Sequence, residues 1–262
     1  TFDLDMVAGS MPRPLRLPAK LALNRVIGRN PLPDPVVNAL ARGQGAPSQL
    51  PYSWDADYPA RLGLLPREGT NADVRWFEID PCYVFHTLNA YEDGDEVVID
   101  AVRHERMFAT DFTGPNEGIS SLVRFTVDTV AGKVREHRYD EHAQEFPRYD
   151  ERLTGRRHRF GWSVGFEGPA ASDAVLKHDV VSGTTTSRHL GPDKDVGEFC
   201  FVPHSADAAE DSGVLMSYVH DRARGLSDLV LLDAETLEDV ATVHLPARVP
   251  AGFHGNWAPT ST

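Results

Sequence analysis

Two histidines stand in unusual company. His86 lies in Val-Phe-His-Thr-Leu-Asn-Ala-Tyr-Glu and His254 in Gly-Phe-His-Gly-Asn-Trp, each at the end of a short apolar run rather than in a charged loop. Two acidic segments share that character. Gln144-Glu145-Phe146-Pro147 and Gly197-Glu198-Phe199-Cys200-Phe201-Val202 each set a carboxylate among apolar residues. Imidazole is the commonest metal-ligating side chain. A carboxylate or imidazole in apolar surroundings is costly unless partnered. Two His and two Glu could satisfy one another, each imidazole binding metal through one nitrogen and donating its other N–H to a carboxylate, which sets tautomer and ring orientation. The competing reading makes each histidine a core imidazole hydrogen-bonded to backbone. Spacing alone does not separate the two. The histidines are too distant in sequence to share a helix face, so the fold has to bring them together.

The composition bounds the setting. The chain has 262 residues, 41% of them hydrophobic, which is enough for one large core or two small ones. The net charge of −13 argues against nucleic acid, which rewards clustered Lys and Arg, and against an anionic membrane surface as partner. Cys82 and Cys200 sit in β-like apolar runs and are expected to be two buried thiols of a reducing compartment, not a disulfide framework. No secretory signal pattern appears, and no apolar stretch approaches the roughly 18 residues of a spanning helix. A soluble, acidic, cytoplasmic protein is expected. The opening Thr-Phe-Asp-Leu-Asp alternates like a strand already under way, so the chain is expected to be a fragment of a longer protein.

The elements that must position these residues are mostly strands. Residues 11–48 are the exception, with a short irregular helix broken by Pro12, Pro14 and Pro18 and a second one over Val36 to Ala41. This insertion is either a packed excursion or a flap that touches a membrane or covers a ligand tunnel. From residue 50 the pattern is strand, turn, strand: Val74 to Ile79, Cys82 to Leu88, Glu96 to Val102, Leu122 to Val127, Val134 to Tyr139, Ala174 to Val181, Thr184 to Leu190, Phe199 to Val202, Val214 to His220, Leu229 to Leu232 and Asp239 to His244. Ala131-Gly132-Lys133 and Ser182-Gly183 read as hairpin turns. The fold class is all-β. No sharp repeat is visible, so pattern alone leaves sandwich, barrel and irregular propeller open.

Four motifs in order carry a family resemblance. They are Asp80-Pro81-Cys82-Tyr83-Val84-Phe85-His86-Thr87-Leu88-Asn89-Ala90-Tyr91-Glu92, Glu145-Phe146-Pro147-Arg148, Gly197-Glu198-Phe199-Cys200-Phe201-Val202-Pro203, and Arg248-Val249-Pro250-Ala251-Gly252-Phe253-His254-Gly255-Asn256-Trp257. Over nearly its whole length, 1–262, the chain resembles the C-terminal half of the carotenoid cleavage oxygenases, which include lignostilbene dioxygenases. The resemblance implies part of a seven-bladed β-propeller in which four histidines meet on the axis and hold one Fe(II). By that likeness His86 and His254 are two of the four, and Glu145 and Glu198 are the carboxylates behind them, Glu145 serving His86 and Glu198 serving His254. The other two histidines and a third glutamate have no counterpart in this chain and are expected upstream of residue 1. The remaining histidines (His104, His137, His142, His158, His178, His189, His204, His220 and His244) are read as surface or hairpin residues.

The implied reaction is cleavage of a conjugated C=C bond by O2 to give two carbonyls, with no organic cofactor. The implied substrate is an apolar polyene or a stilbene, and this fragment alone is expected to be inactive. Phe85 and Phe253 flank the histidines and line the tunnel on this reading, or simply pack in the core. The rival from another class is a non-catalytic β-propeller or sandwich that binds partners without iron. A β-sandwich hydrolase has no support, because Ser205 and Ser227 lie in no nucleophile motif.

Overall fold

The computed structural model describes residues 52–111, 117–166, 172–250 and 252–258. The opening segment, with its expected strand at 1–5 and helices within 11–48, lies outside the described residues. Two compact units are distinguished. The smaller one includes residues 107–117, where Glu117 gathers the backbone N–H groups of Ala109, Thr110 and Asp111 around one carboxylate. In the same unit the Trp54 N–H donates to the Phe108 carbonyl.

The larger unit is built almost entirely of strands. They are β1 (Arg61–Leu64), β2 (Arg75–Glu78), β3 (Tyr83–Asp93), β4 (Glu96–His104), β5 (Ser120–Asp128), β6 (Lys133–Arg138), β7 (Gln144–Arg148), β8 (Phe160–Phe166), β9 (Ser172–Asp179), β10 (Thr184–His189), β11 (Lys194–Val196), β12 (Cys200–Pro203), β13 (Gly213–Asp221), β14 (Leu226–Asp233) and β15 (Asp239–His244). Strands β1 and β2 form a hairpin sheet. Strands β3 to β6 form one four-stranded antiparallel meander and β7 to β10 a second. In the third sheet β13, β14 and β15 follow in order, and β11 and β12 both pair with β13. Successive four-stranded antiparallel sheets are the blades of a propeller, an arrangement that leaves only short edges. The all-β expectation holds. Strands β1, β8 and β11 lie where the alternation in sequence is too short or too apolar to announce a strand.

The blades stick together through their apolar faces. The central strands carry the most buried residues: Val123 and Phe125 on β5, Trp162 and Val164 on β8, and Leu215 and Val219 on β13. Trp162 stacks flat on Phe201 at 4.8 Å between ring centroids, joining the second sheet to the third, and its indole N–H donates to the Ala234 carbonyl. Leu88, Leu122 and Val180 join the first sheet to the second. Among the described residues no helix is long and apolar enough to cross a membrane.

A repeat absent from the sequence reading is plain in the turns. Asp128, Asp179, Asp221 and Asp233 each end a strand, and each accepts backbone N–H groups two or three residues on. In each turn the backbone N–H four residues on, from Gly132, Gly183, Gly225 or Leu237, returns to the aspartate carbonyl. All four of those residues have positive φ, between 63° and 72°. The turn is therefore Asp-x-x-x-Gly, used three times, with Leu237 in the glycine place of a fourth. At Gly132 an added Cβ would meet nothing within 4 Å, so the whole cost of Gly132→Ala is conformational. The expected loss is about 1 kcal/mol, read by urea denaturation, with Gly132→Asn losing less.

Candidate metal centre

The innermost strand of each blade is interrupted where the chemistry-bearing residue sits. In β3 the register slips between Val84 and Thr87, around His86. In β7 it slips between Glu145 and Arg148, where Phe146 takes the left-handed conformation (φ 55°) and Pro147 has no N–H to give. In the third sheet the inner strand is broken between β11 and β12, and Glu198 lies in the gap. There Gly197 crosses close to β13: its N–H donates to the Tyr218 carbonyl at 3.0 Å, and a Cβ would stand 3.0 Å from that same oxygen. Bulges of this kind re-aim side chains out of the pleat and are common beside functional sites.

The result is that all four residues picked from the sequence are brought together. His86 Nδ1 lies 2.7 Å from Glu145 Oε2, and His254 Nδ1 lies 3.1 Å from Glu198 Oε1. The two Nε2 atoms face each other at 3.2 Å, with the rings nearly perpendicular. Glu145 and Glu198 are buried, His86 is partly covered and the His254 side chain is 55% exposed. Phe85 and Phe253 are both exposed among the described residues, Phe253 to 77%. The ring that lies against both imidazoles is Phe146, 5.3 Å from His86 and 6.0 Å from His254.

Each carboxylate is held by three donors. Glu145 accepts from His86, from the Phe146 N–H at 2.9 Å, and from His104 Nε2 at 2.7 Å. Glu198 accepts from His254, from the Gly255 N–H at 2.9 Å, and from Arg148 Nη1 at 2.9 Å. Arg148 also donates to the Gly255 carbonyl at 2.8 Å and reaches Asn256, clamping the strandless segment that carries His254. Burial raises the Glu145 carboxyl, but the hydrogen bonds from His104, His86 and the Phe146 amide outweigh it and hold its pKa below the ordinary value. The hydrogen bond to Glu145 raises the His86 pKa, with burial opposing. Burial disfavours the Arg148 charge, yet the Glu198 and Glu151 carboxylates hold its pKa above the ordinary value.

Three histidines read as surface residues are in fact buried: His104, His158 and His178. His158 accepts from the Asn89 side chain and lies 3.2 Å from Asp100, and Asn89 also donates to the Leu153 and Arg156 carbonyls. His178 lies 2.9 Å from Ser163 and 3.0 Å from Thr185. Each follows or interrupts a charged stretch, which disguised it; His104 and His178 are strand residues, whose direction is set by their place in the alternation and not by their neighbours' charge, while His158 lies just before β8. Arg148 stood inside a quoted motif with no role assigned to it. Of the two thiols Cys200 is buried, while Cys82 is only half-buried, because β3 starts after it; neither forms a disulfide.

The chemistry of the pair follows from donor counting. An ionised carboxylate can only accept, so both Nδ1 atoms carry hydrogen. Both Nε2 atoms then present lone pairs to each other, an arrangement that repels unless a cation or a shared proton lies there. Two nitrogens each about 2.0–2.1 Å from one ion come to about 3 Å apart when they subtend a near right angle, so the 3.2 Å separation fits two ligands of a single metal. Among the described residues no group of three or more His, Cys, Asp or Glu forms a metal cluster.

Two imidazoles buttressed by carboxylates from the broken inner strands of antiparallel blades define a partial propeller with a candidate metal centre. The chain belongs to the carotenoid cleavage oxygenase family: the family model described as retinal pigment epithelial membrane protein matches residues 26–259. Among its relatives, the carotenoid cleavage oxygenase of Mycobacterium tuberculosis is 49% identical over 274 aligned positions, covering 100% of this chain and 55% of the relative. The lignostilbene-alpha,beta-dioxygenase isozyme III of Sphingomonas paucimobilis is 33% identical and covers 80% of this chain and 48% of its own length. The crystal structure of cobalt-substituted Synechocystis ACO superposes with a TM-score of 0.73 at 30% identity, over 79% of this chain and 46% of that one. The chain thus spans about half the length of the curated relatives it matches.

Proposed function

We propose that this chain contributes His86 and His254 to a four-histidine ferrous centre, the other two ligands coming from sequence outside residues 1–262, and that the assembled protein cleaves a conjugated C=C bond with O2. The observation that carries this is the pair of Nε2 lone pairs converging at 3.2 Å while both Nδ1 atoms are tied to carboxylates. Relatives named as carotenoid, apocarotenoid and stilbene oxygenases, and a cobalt-substituted neighbour, support it.

When bound, iron supplies the redox chemistry by which O2 adds to an alkene. Both oxygen atoms enter the two carbonyl products, so no external reductant is needed. This chain's own residues hold the site. Glu145 and Glu198 hold the Nδ1 protons of His86 and His254, so that Nε2 is the nitrogen each ring offers to a metal. Arg148 and Gly255 fix the C-terminal segment. Phe85 and Phe146 offer apolar surface beside the imidazoles, suited to a polyene or stilbene and poor in alternative acceptors.

The test is metal analysis of the full-length protein. One Fe(II) per chain, removed by chelation together with O2-dependent formation of two carbonyl products and restored with iron, is the expected result. An iron-free protein that folds, binds partners and yields no cleavage identifies the non-catalytic binding module instead. Residues 1–262 alone are expected to give no turnover.

A further inference from the structure

The two carboxylates are held alike but not identically. Each takes one ligand imidazole, one backbone N–H and one side chain from elsewhere, and that third donor is a fixed cation for Glu198 (Arg148) but a second imidazole for Glu145 (His104). His104 ends β4 and is 3% exposed. It is paired across the ladder with Tyr83 and Ser120, and the Phe85 ring meets it edge-on at 5.2 Å.

We infer that His104 is a positioning residue for the metal centre: by binding Oε1 of Glu145 it pins the carboxylate so that Oε2 stays aimed at His86 Nδ1. The terminal torsion of a glutamate is soft and roughly two-fold, so a single hydrogen bond on one oxygen leaves the other free to swing. With His104 at 2.7 Å on Oε1 and His86 at 2.7 Å on Oε2, both oxygens are committed and the plane is set. The plane of the carboxylate sets the direction of the Nδ1–H bond, and with it where Nε2 points. His104 therefore acts through two hydrogen bonds on a ligand of an ion it never touches, extending by one step the way outer partners orient metal ligands. Its neighbours fit the role: the Phe85 ring walls off one side, and the Phe146 N–H fills the remaining acceptor site on Oε2.

The inference rests on the iron reading and is tested apart from it. In the full-length protein, Fe(II) affinity by chelator competition and the Co(II) d–d spectrum are measured for the parent, His104→Phe, His104→Leu and His104→Gln. If the parent binds no metal, the iron reading fails and this one with it. If the parent binds, the apolar variants are expected to lose about 10–100-fold in affinity and to shift the cobalt bands. His104→Gln, which keeps an N–H donor, is expected to stay within about threefold of the parent by the same reasoning. Parent-like affinity and spectrum in either apolar variant overturn the inference, and so does a loss in His104→Gln equal to theirs. If neither apolar variant folds, His104→Gln decides: parent-like affinity and spectrum support the role, and their loss overturns it.

Discussion

Glu145→Leu is expected to weaken metal binding at the proposed iron site and to cost about 3 kcal/mol of stability. The substitution keeps the approximate volume and removes the acceptor for three N–H donors, those of His86, His104 and Phe146. A buried donor left unpaired costs about 1–3 kcal/mol, and such costs add incompletely. The larger consequence is chemical. Without the carboxylate nothing holds the proton on His86 Nδ1, so the ring can carry it on Nε2 instead and cease to be a ligand. Fe(II) affinity should fall about 100-fold, at the upper end for removal of an outer partner. Glu145→Gln separates charge from geometry. Its amide oxygen can serve His86 only if its NH2 faces His104, which then has to switch tautomer to accept. The expected loss is nearer tenfold on the same scale. Chelator competition for affinity and urea unfolding for stability check both. An undiminished affinity in the leucine variant would mean that Glu145 does not set the ligand.

The second large effect is expected at Arg148. Its guanidinium is mostly covered and pairs with Glu198, which is buried. Removing one member of a buried pair leaves an uncompensated charge and costs about 3–5 kcal/mol. Arg148→Ala also releases the Gly255 carbonyl and Asn256, two of the anchors of a segment that has no strand of its own. His254 sits in that segment and is the more exposed of the two imidazoles. Metal affinity should fall by about 10–100-fold, and amide exchange should speed up across residues 252–257 while the blade strands keep their protection. Arg148→Lys should recover only part, since one ammonium cannot reproduce the planar fork. A variant with native affinity and an unchanged exchange pattern would remove Arg148 from the site.

How much could be read beforehand depended on how local the cause was. Strands such as Glu96–His104 and Ser120–Asp128 announce themselves, because alternation and β-branched residues act within a few positions. Strand β8 did not, since Phe160–Phe166 is buried on both faces and sets Gly and Ser, not charged residues, between its large apolar side chains. The blade repeat was also missed. It shows in the turns that join the last two strands of each blade, after Asp128, Asp179 and Asp233, not in the strands, and Leu237 takes the glycine place in the last of them.

The candidate site divides in the same way. Its chemical types were legible in the chain itself: His86, His254, Glu145 and Glu198 each stood out as a polar group in apolar company, and the order of four motifs pointed to the family. What only the tertiary structure decided was direction and partnership. The breaks that turn His86, Glu145 and Glu198 out of the inner strands, the contact between His86 and His254, and the additional donors His104 and Arg148 all depend on which blade edges face one another. Contacts within the site join residues 41 to 168 positions apart, and no local period in a sequence encodes a distance of that kind.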